Sequence, residues 1–292
     1  MPDETVNKEV LTEAITLLGK SFNQPKAKNI ETAIALLKKS LRERRDPLRA
    51  IRADVVQSDD THDFFRLGVL WADTWLRGGL RPGELVLIGA TPHAGKTHTL
   101  AWFGIQFLLE GYTVLSVIGE DLLGDIKACY ASGLNNGQAL KNLWLADMQD
   151  VRFGVPQMEE LYEQMKADGH TPEIVIVDHV DLMKGSSGGK NDWEVVSDVM
   201  VELKMFAKRT NTIVITASQI NFANDQKGMA RFYRAKVGKA GNADVIFMID
   251  DVIDNEYYVS LTKARGRKRI PIDERQKVLL TDWDRMKIED IT

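Results

Sequence analysis

The sequence predicts an α/β protein: a largely parallel sheet flanked by helices, with a C-terminal antiparallel hairpin and a small N-terminal helical segment in front. Three observations predict it. From about residue 64, short apolar runs alternate with stretches of helical period, the order that builds strand-helix-strand units. Runs such as "LVLIG" (85–89) and "EIVIVD" (173–178) are apolar throughout instead of alternating, as strands covered on both faces must be. The last two strand-like stretches, "EYYVSLTKAR" (256–265) and "QKVLLTDWD" (276–284), follow each other without a helical stretch between them, which reads as a hairpin.

Taken in order, residues 1–45 read as a helical pair. Val6, Val10, Leu11, Ile15 and Leu18 recur at helical spacing, and after "NQPK" Ile30, Ile34, Leu37 and Leu41 do so again. The charged stretch 46–63, entered at Pro47, reads as a linker, and 64–292 as the main domain. Within that domain the strands are expected at 85–89, 113–119, 143–147, 173–178, 212–219 and 244–249, and helices near 97–110, 122–133, 157–168 and 192–209. The stretch "KGSSGGKND" (184–192) reads as a flexible insertion.

With 44% hydrophobic residues over 292, the chain has enough apolar mass for one substantial core. A single cysteine, Cys129, excludes an intramolecular disulfide framework and a Cys-rich zinc cluster. No apolar run reaches the ~18 residues of a membrane span, and "MPDETVNKEV" is too polar for a secretory signal, so a cytoplasmic location is expected, in the host cytoplasm if the source is viral. The net charge of −4 gives no global attraction to polyanions, but "QKGMARFYRAKVGK" (226–239) and "KARGRKR" (263–269) each carry five basic residues and no acid.

The stretch "GATPHAGKTHTL" (89–100) lies between a predicted strand and a predicted helix. A phosphate-binding loop needs that arrangement, because a helix N-terminus and its backbone N–H groups then point at the anion. Gly95 would allow close backbone approach, Lys96 would reach the β and γ phosphates, and the Thr97 hydroxyl would bind Mg²⁺. Ala90 stands where the first glycine of the eight-residue pattern usually does, and Ala90, Gly95, Lys96, Thr97 and His98 form the expected nucleotide-binding set. An ordinary glycine-containing turn would carry the same local pattern. Asp178, ending "EIVIVD", offers a carboxylate to the same metal. Glu120 follows "TVLSVIG" and would polarise an attacking water if that strand neighbours the loop's strand; its alternative is to cap the helix at 122–133. Gln219 ends "TIVITASQ", where its amide could sense the γ phosphate.

In this order the motifs resemble the hexameric RecA-fold replicative helicases of the DnaB type, including the helicase half of phage helicase-primases. The resemblance runs from about residue 66 to 285 and rests on "RLGVLWADTWLRGGLRPGELVLIGATPHAGKT", "SVIGED", "IVIVDHVDLM", "KMFAKRTNTIVITASQIN" and "SLTKARGRKR". It implies a RecA-like ATPase with ATP and Mg²⁺ as cofactors, Glu120 as the catalytic carboxylate, and Gln219 as the sensor. It also places Lys263 and Arg265 of "KAR" in the adjacent subunit's nucleotide site; the alternative is that the whole of "KARGRKR" is a solvated basic strand edge and turn, the reading that suits Arg267, Lys268 and Arg269. A ring, six subunits and 5′–3′ movement on single-stranded DNA follow from the resemblance alone, as does a separate primase or loader as partner.

For DNA contact, Lys227, Arg231, Arg234, Lys236 and Lys239 suit phosphates, with Phe232 and Tyr233 available for stacking. His93 is given no catalytic part, His179 is read as support for its neighbours, and Trp283 as packing. The competing reading is a RecA-like recombinase or single-strand-binding ATPase that does not unwind.

Overall fold

The computed structural model describes Thr16 and residues 64–90, 94–134, 139–148, 153–185, 192–219, 241–253, 256–267, 270–271 and 273–290. The chain divides into two compact units, Met1–Asp60 and Thr61–Thr292. The expected helical pair and linker lie outside the described residues, apart from Thr16.

In the second unit, helix α1 (Leu70–Trp75) precedes strand β1 (Leu85–Ala90), and α2 (Lys96–Leu109) leads to β2 (Val114–Ile118). Then come α3 (Leu123–Gly133), β3 (Leu143–Asp147), α4 (Val155–Ala167) and β4 (Ile174–Asp178), followed by α5 (Asp192–Thr210) and β5 (Ile213–Gln219). Four strands complete the unit: β6 (Val245–Ile253), β7 (Glu256–Ala264), β8 (Gln276–Asp282) and β9 (Lys287–Asp290). They form one nine-stranded sheet in the order β3-β2-β4-β5-β1-β6-β7-β8-β9. Strands β1 to β6 are parallel, and the chain then reverses at each of β7, β8 and β9.

The uniform apolarity of the parallel strands is resolved by the two-residue period of the pleat. Val86, Ile88, Ile174, Ile176, Ile213 and Ile215 face a core shared with α2 and α3. Leu85, Leu87, Val175, Val177 and Val214 face a second core with Met158, Tyr162, Met200, Leu203 and Phe206 of α4 and α5. The antiparallel strands are packed on one face: Tyr257 and Leu279 are buried, whereas Tyr258 and Leu280 are exposed. That one-sided packing gives them the alternation the parallel strands lack.

Close packing explains Gly104 on α2. A Cβ there would lie 2.5 Å from Tyr130 Oη and 2.9 Å from Ile176 Cδ1, so only glycine lets α3 and β4 approach this helix. Helix α1 is not among the expected elements; its Trp71 and Trp75 are buried, and the Trp71 ring stacks at 6.2 Å on Trp102 of α2. Strand β9 is likewise additional, and it extends the expected hairpin on β8.

Arg267 corrects the reading of the basic turn. Its side chain is 1% exposed, not solvated, and its guanidinium donates two bonds of 2.7 Å to Glu84. Further bonds go to the carbonyls of Leu76 (2.8 Å) and Gly79 (2.9 Å). The turn after β7 is thereby fastened to the segment entering β1. Removing one member of such a pair leaves a buried charge alone, so Arg267→Ala should lower unfolding stability by about 3–5 kcal/mol in denaturant titration. A loss within the ordinary surface range, about 0.5 kcal/mol, would show that the pair holds nothing.

Candidate functional site

Parallel strands share one direction, so the sheet has a C-terminal edge where β1, β5, β4 and β2 all end. Ligands bind at such edges because strand-following loops and helix starts converge there. Ala90, buried, is the last residue of β1 and pairs with Gln219 at the end of β5. Thr91, Pro92 and His93 lie outside the described residues. Gly95 then stands at φ +74°, a left-handed conformation that a side chain disfavours, and it is the N-cap of α2. Its N-cap, a glycine, offers no side chain to the first N–H groups, and its first turn carries no acid.

Lys96, Thr97 and His98 open that helix, half-buried. The Thr97 hydroxyl lies beside the Asp178 carboxylate, close enough to favour its charged form, and so brings the start of the helix after β1 near the end of β4. Asp178 is 8% exposed. Burial lifts its pKa above the ordinary carboxylate value; the Thr97 hydroxyl and His179 pull it down, and the negative charges of Asp121 and Glu120 add to the rise. His98 lies 5.2 Å, centroid to centroid, from Trp283, whose ring also meets Tyr257 at 5.8 Å. Trp283 thus packs, as expected, but beside Gly95 at the site's margin.

The strand order corrects one premise about Glu120. Strand β2 does not neighbour β1, because β4 and β5 lie between them. Glu120 reaches the site by another route: Ile118 is in register with Asp178, and Gly119 N–H donates to the Asp178 carbonyl at 2.8 Å. A Cβ at Gly119 would lie 2.9 Å from that same carbonyl oxygen, so the approach needs glycine. Glu120 follows, exposed, and is not used as a cap, since α3 starts from Leu122 without a side-chain cap bond.

Asp181, which motif spacing alone does not single out, accepts the Ser218 hydroxyl at 3.0 Å and the Gln219 backbone N–H at 2.8 Å. His179 stands between carboxylates, with Nδ1 3.8 Å from Asp178 and Nε2 3.8 Å from Asp181. A carboxylate three residues beyond a strand-ending Asp, in "DHVD", is the signal that could have found it.

Lys263 and Arg265 are not brought to this edge. Lys263 pairs with Ile246 and Ala264 with Val245, the beginning of β6, and Val245 is in register with Val86. They therefore lie at the opposite edge, a strand length of four residues, roughly 13 Å, from Ala90. There Lys263 Nζ and the Arg265 guanidinium both donate to the Gly241 carbonyl, at 3.0 and 3.3 Å, and Arg265 lies 3.6 Å from Asp244. Burial and the Arg265 charge lower the Lys263 pKa, with Asp244 opposing. Lys227, Arg231, Arg234, Lys236 and Lys239 lie outside the described residues, as do residues 186–191 of the expected flexible insertion.

The donors at the C-terminal edge are oxygens, the Thr97 hydroxyl and the Asp178 carboxylate. Among the described residues no cluster of three His, Cys, Asp or Glu side chains is placed to hold a metal. So few protein ligands suit Mg²⁺, which completes its shell from water and substrate phosphates, and not a transition metal. Among the described residues, no helix is long and apolar enough to cross a membrane.

Comparison with known proteins bears on the family and the fold. The model of the family described as DnaB-like helicase C terminal domain matches residues 130–277. "DNA repair protein RadA" of Mycobacterium tuberculosis is 25% identical over 211 residues, covering 63% of this chain and 41% of that protein. "Replicative DNA helicase DnaB" of Helicobacter pylori is 23% identical over 199 residues, covering 59% and 40% respectively. The chain thus spans about two fifths of the length of these curated relatives. A solved structure, "The Structure Of A DnaB-Like Replicative Helicase And Its Interactions With Primase", superposes with a TM-score of 0.68 at 16% identity, over 97% of this chain and 76% of that one. At that identity the likeness establishes the fold.

Asp178 carries a thermodynamic signature. Because the folded carboxyl holds its proton more readily than the unfolded one, its ionised form costs stability above the raised pKa. That cost fades as pH falls toward the ordinary value, about 4. Asp178→Asn keeps an acceptor for Thr97 and removes the charge, so without nucleotide it should melt above the parent at neutral pH, with the gap closing in acid. A lower melting temperature at neutral pH would mean that the charge stabilises the fold.

Proposed function

The chain belongs to the DnaB-like helicase C-terminal domain family, and on that premise we propose that it is the ATP-hydrolysing motor of a replicative DNA helicase. It works as a ring of six copies that translocates 5′–3′ on single-stranded DNA in the cytoplasm. The observation that carries the reading is the closeness of the Thr97 hydroxyl to the Asp178 carboxylate, which brings a phosphate-type helix start beside an acidic strand end.

In this reading the uncapped start of α2 and Lys96 receive the β and γ phosphates. Thr97 and Asp178 hold Mg²⁺, which when bound offsets the charge on the phosphate oxygens. Glu120 accepts a proton from the water that attacks the γ phosphorus. Gln219, in register with Ala90, senses whether that phosphate is present. Lys263 and Arg265 point away from their own site at the opposite edge, so they act on the neighbour's, where a cation stabilises the developing charge. Lys227, Arg231, Arg234, Lys236 and Lys239 hold DNA phosphates, a contact that weakens with salt. The solved relative described with primase supports a primase as partner.

The similarity to RadA favours a second reading, a RecA-like recombinase or single-strand-binding ATPase that hydrolyses ATP without opening a duplex. Strand separation of a forked duplex decides between them: the helicase opens the fork with ATP, and the second reading predicts DNA-stimulated hydrolysis on a closed fork.

Glu120→Gln and Arg265→Ala should each abolish DNA-stimulated hydrolysis. Mixed in equal amounts they should recover about a quarter of it, because an Arg265→Ala site becomes complete beside a Glu120→Gln neighbour. Activity that stays absent after subunit exchange would place both residues in one copy's site.

A further inference from the structure

We infer that Asp181 is a positioning residue that sets the end of β5, and with it Gln219, relative to the Asp178 site. The inference deepens the proposed function and rests on that reading.

The need for Asp181 comes from the sheet. The β4–β5 ladder ends at the pair Val177 and Thr216, where the Thr216 hydroxyl also donates to the Val177 carbonyl at 2.9 Å. Beyond that pair β4 stops at Asp178 and turns into a short 3-10 segment, Val180–Leu182, while β5 runs on to Gln219. The last residues of β5 thus face a neighbour that has already turned away. Asp181 supplies what that strand no longer does. Its carboxylate accepts the Gln219 N–H at 2.8 Å and the buried Ser218 hydroxyl at 3.0 Å to each oxygen.

Two features make this more than a strand cap. First, a carboxylate acceptor holds an N–H more firmly than a carbonyl does, so on the side facing β4 the final peptide of β5 is held by a side chain, while on the other side its register with β1 continues to Ala90. Second, the same carboxylate stands 3.8 Å from His179 Nε2, and His179 Nδ1 stands 3.8 Å from Asp178. The backbone of Gln219 and the carboxylate that would hold the metal are therefore tied to one four-residue stretch, Asp178 to Asp181. A shift of Asp178 on nucleotide binding or release moves the acceptor of Gln219, and in the sequence the basic segment 226–239 follows Gln219 after six residues. These contacts form a contiguous link from Asp178 to Gln219, and its power to couple nucleotide to DNA is open to direct measurement.

The measurement is steady-state ATP hydrolysis by the full chain, with and without single-stranded DNA, for the parent, Asp181→Ala, Asp181→Asn and Ser218→Ala. Asp181→Ala should lower the ratio of DNA-stimulated to basal rate about tenfold with little change in KM for ATP. Asp181→Asn keeps an acceptor oxygen for the Gln219 N–H and should recover most of that ratio, and Ser218→Ala, which leaves the Gln219 bond intact, should lose less than Asp181→Ala. A ratio in Asp181→Ala equal to the parent's overturns the inference. So does a parallel fall of basal and stimulated rates with a raised KM, which marks general damage, and so do equal losses in the Ala and Asn variants. A parent protein that hydrolyses ATP without any response to DNA overturns the proposed function itself, and Asp181 then has no coupling to carry.

Discussion

The hydroxyl of Thr97 can meet the carboxylate of Asp178 only if the strands that carry them run the same way and end at the same edge. Strands β1 and β4 are separated by β5, so their backbones lie about 10 Å apart. That gap leaves room for a helix start on one side and a buried acid on the other. Reversing either strand would send its end to the far edge, and a second intervening strand would place the two groups out of reach. The parallel β4-β5-β1 unit is in this sense the condition for the site, and the apolar faces packed by α2, α3, α4 and α5 hold that unit flat between two cores.

How much of this was legible in the sequence depends on the range of each interaction. The long apolar strands and the helices between them are set by local period, and each expected element of the second unit is present within a few residues. Gly95 was readable because a loop before a helix has few ways to turn. Helix α1, six residues long, is too short to display a period, and it is fixed by Trp71 and Trp75 against residues far along the chain. Arg267 was misread for the same reason. Nothing near it in sequence announces Glu84, which lies 183 positions away, so a basic run looked solvated. Strand order is likewise not a local property, and the condition set for Glu120, that its strand neighbour β1, is not met.

Like charges crowd two groups at opposite edges of the sheet, Asp178 at one and Lys263 at the other. At the C-terminal edge Glu120 and Asp121 add their charge to that of buried Asp178, and this like-charge crowding raises the Asp178 pKa. At the N-terminal edge Lys263 is itself lowered by burial and by Arg265. Unlike charge brought near Asp178 or Lys263 would relieve that crowding. A head-to-tail contact between copies brings opposite edges together without a two-fold axis, and contacts of that kind generate rings or open helical assemblies.

On the proposed assembly, the cations do not arrive at the neighbour's site from free solution. Arg265 already rests on the Gly241 carbonyl and near Asp244, and Asp244 in turn accepts the Leu85 N–H at 2.9 Å and pairs with Lys204. Entering the neighbour's site exchanges those contacts for the γ phosphate. Because Arg265 is largely exposed where it rests, its pairing there is screened and weak, while a phosphate approached in a partly buried site is the stronger partner. Lys263 is half-buried and its charge is already penalised, so moving it toward a polyanion removes a cost as well as making a contact. Both differences favour exchange when the neighbour holds nucleotide triphosphate and disfavour it when the γ phosphate has left. Nucleotide state would thereby be read through the same cations that assist hydrolysis.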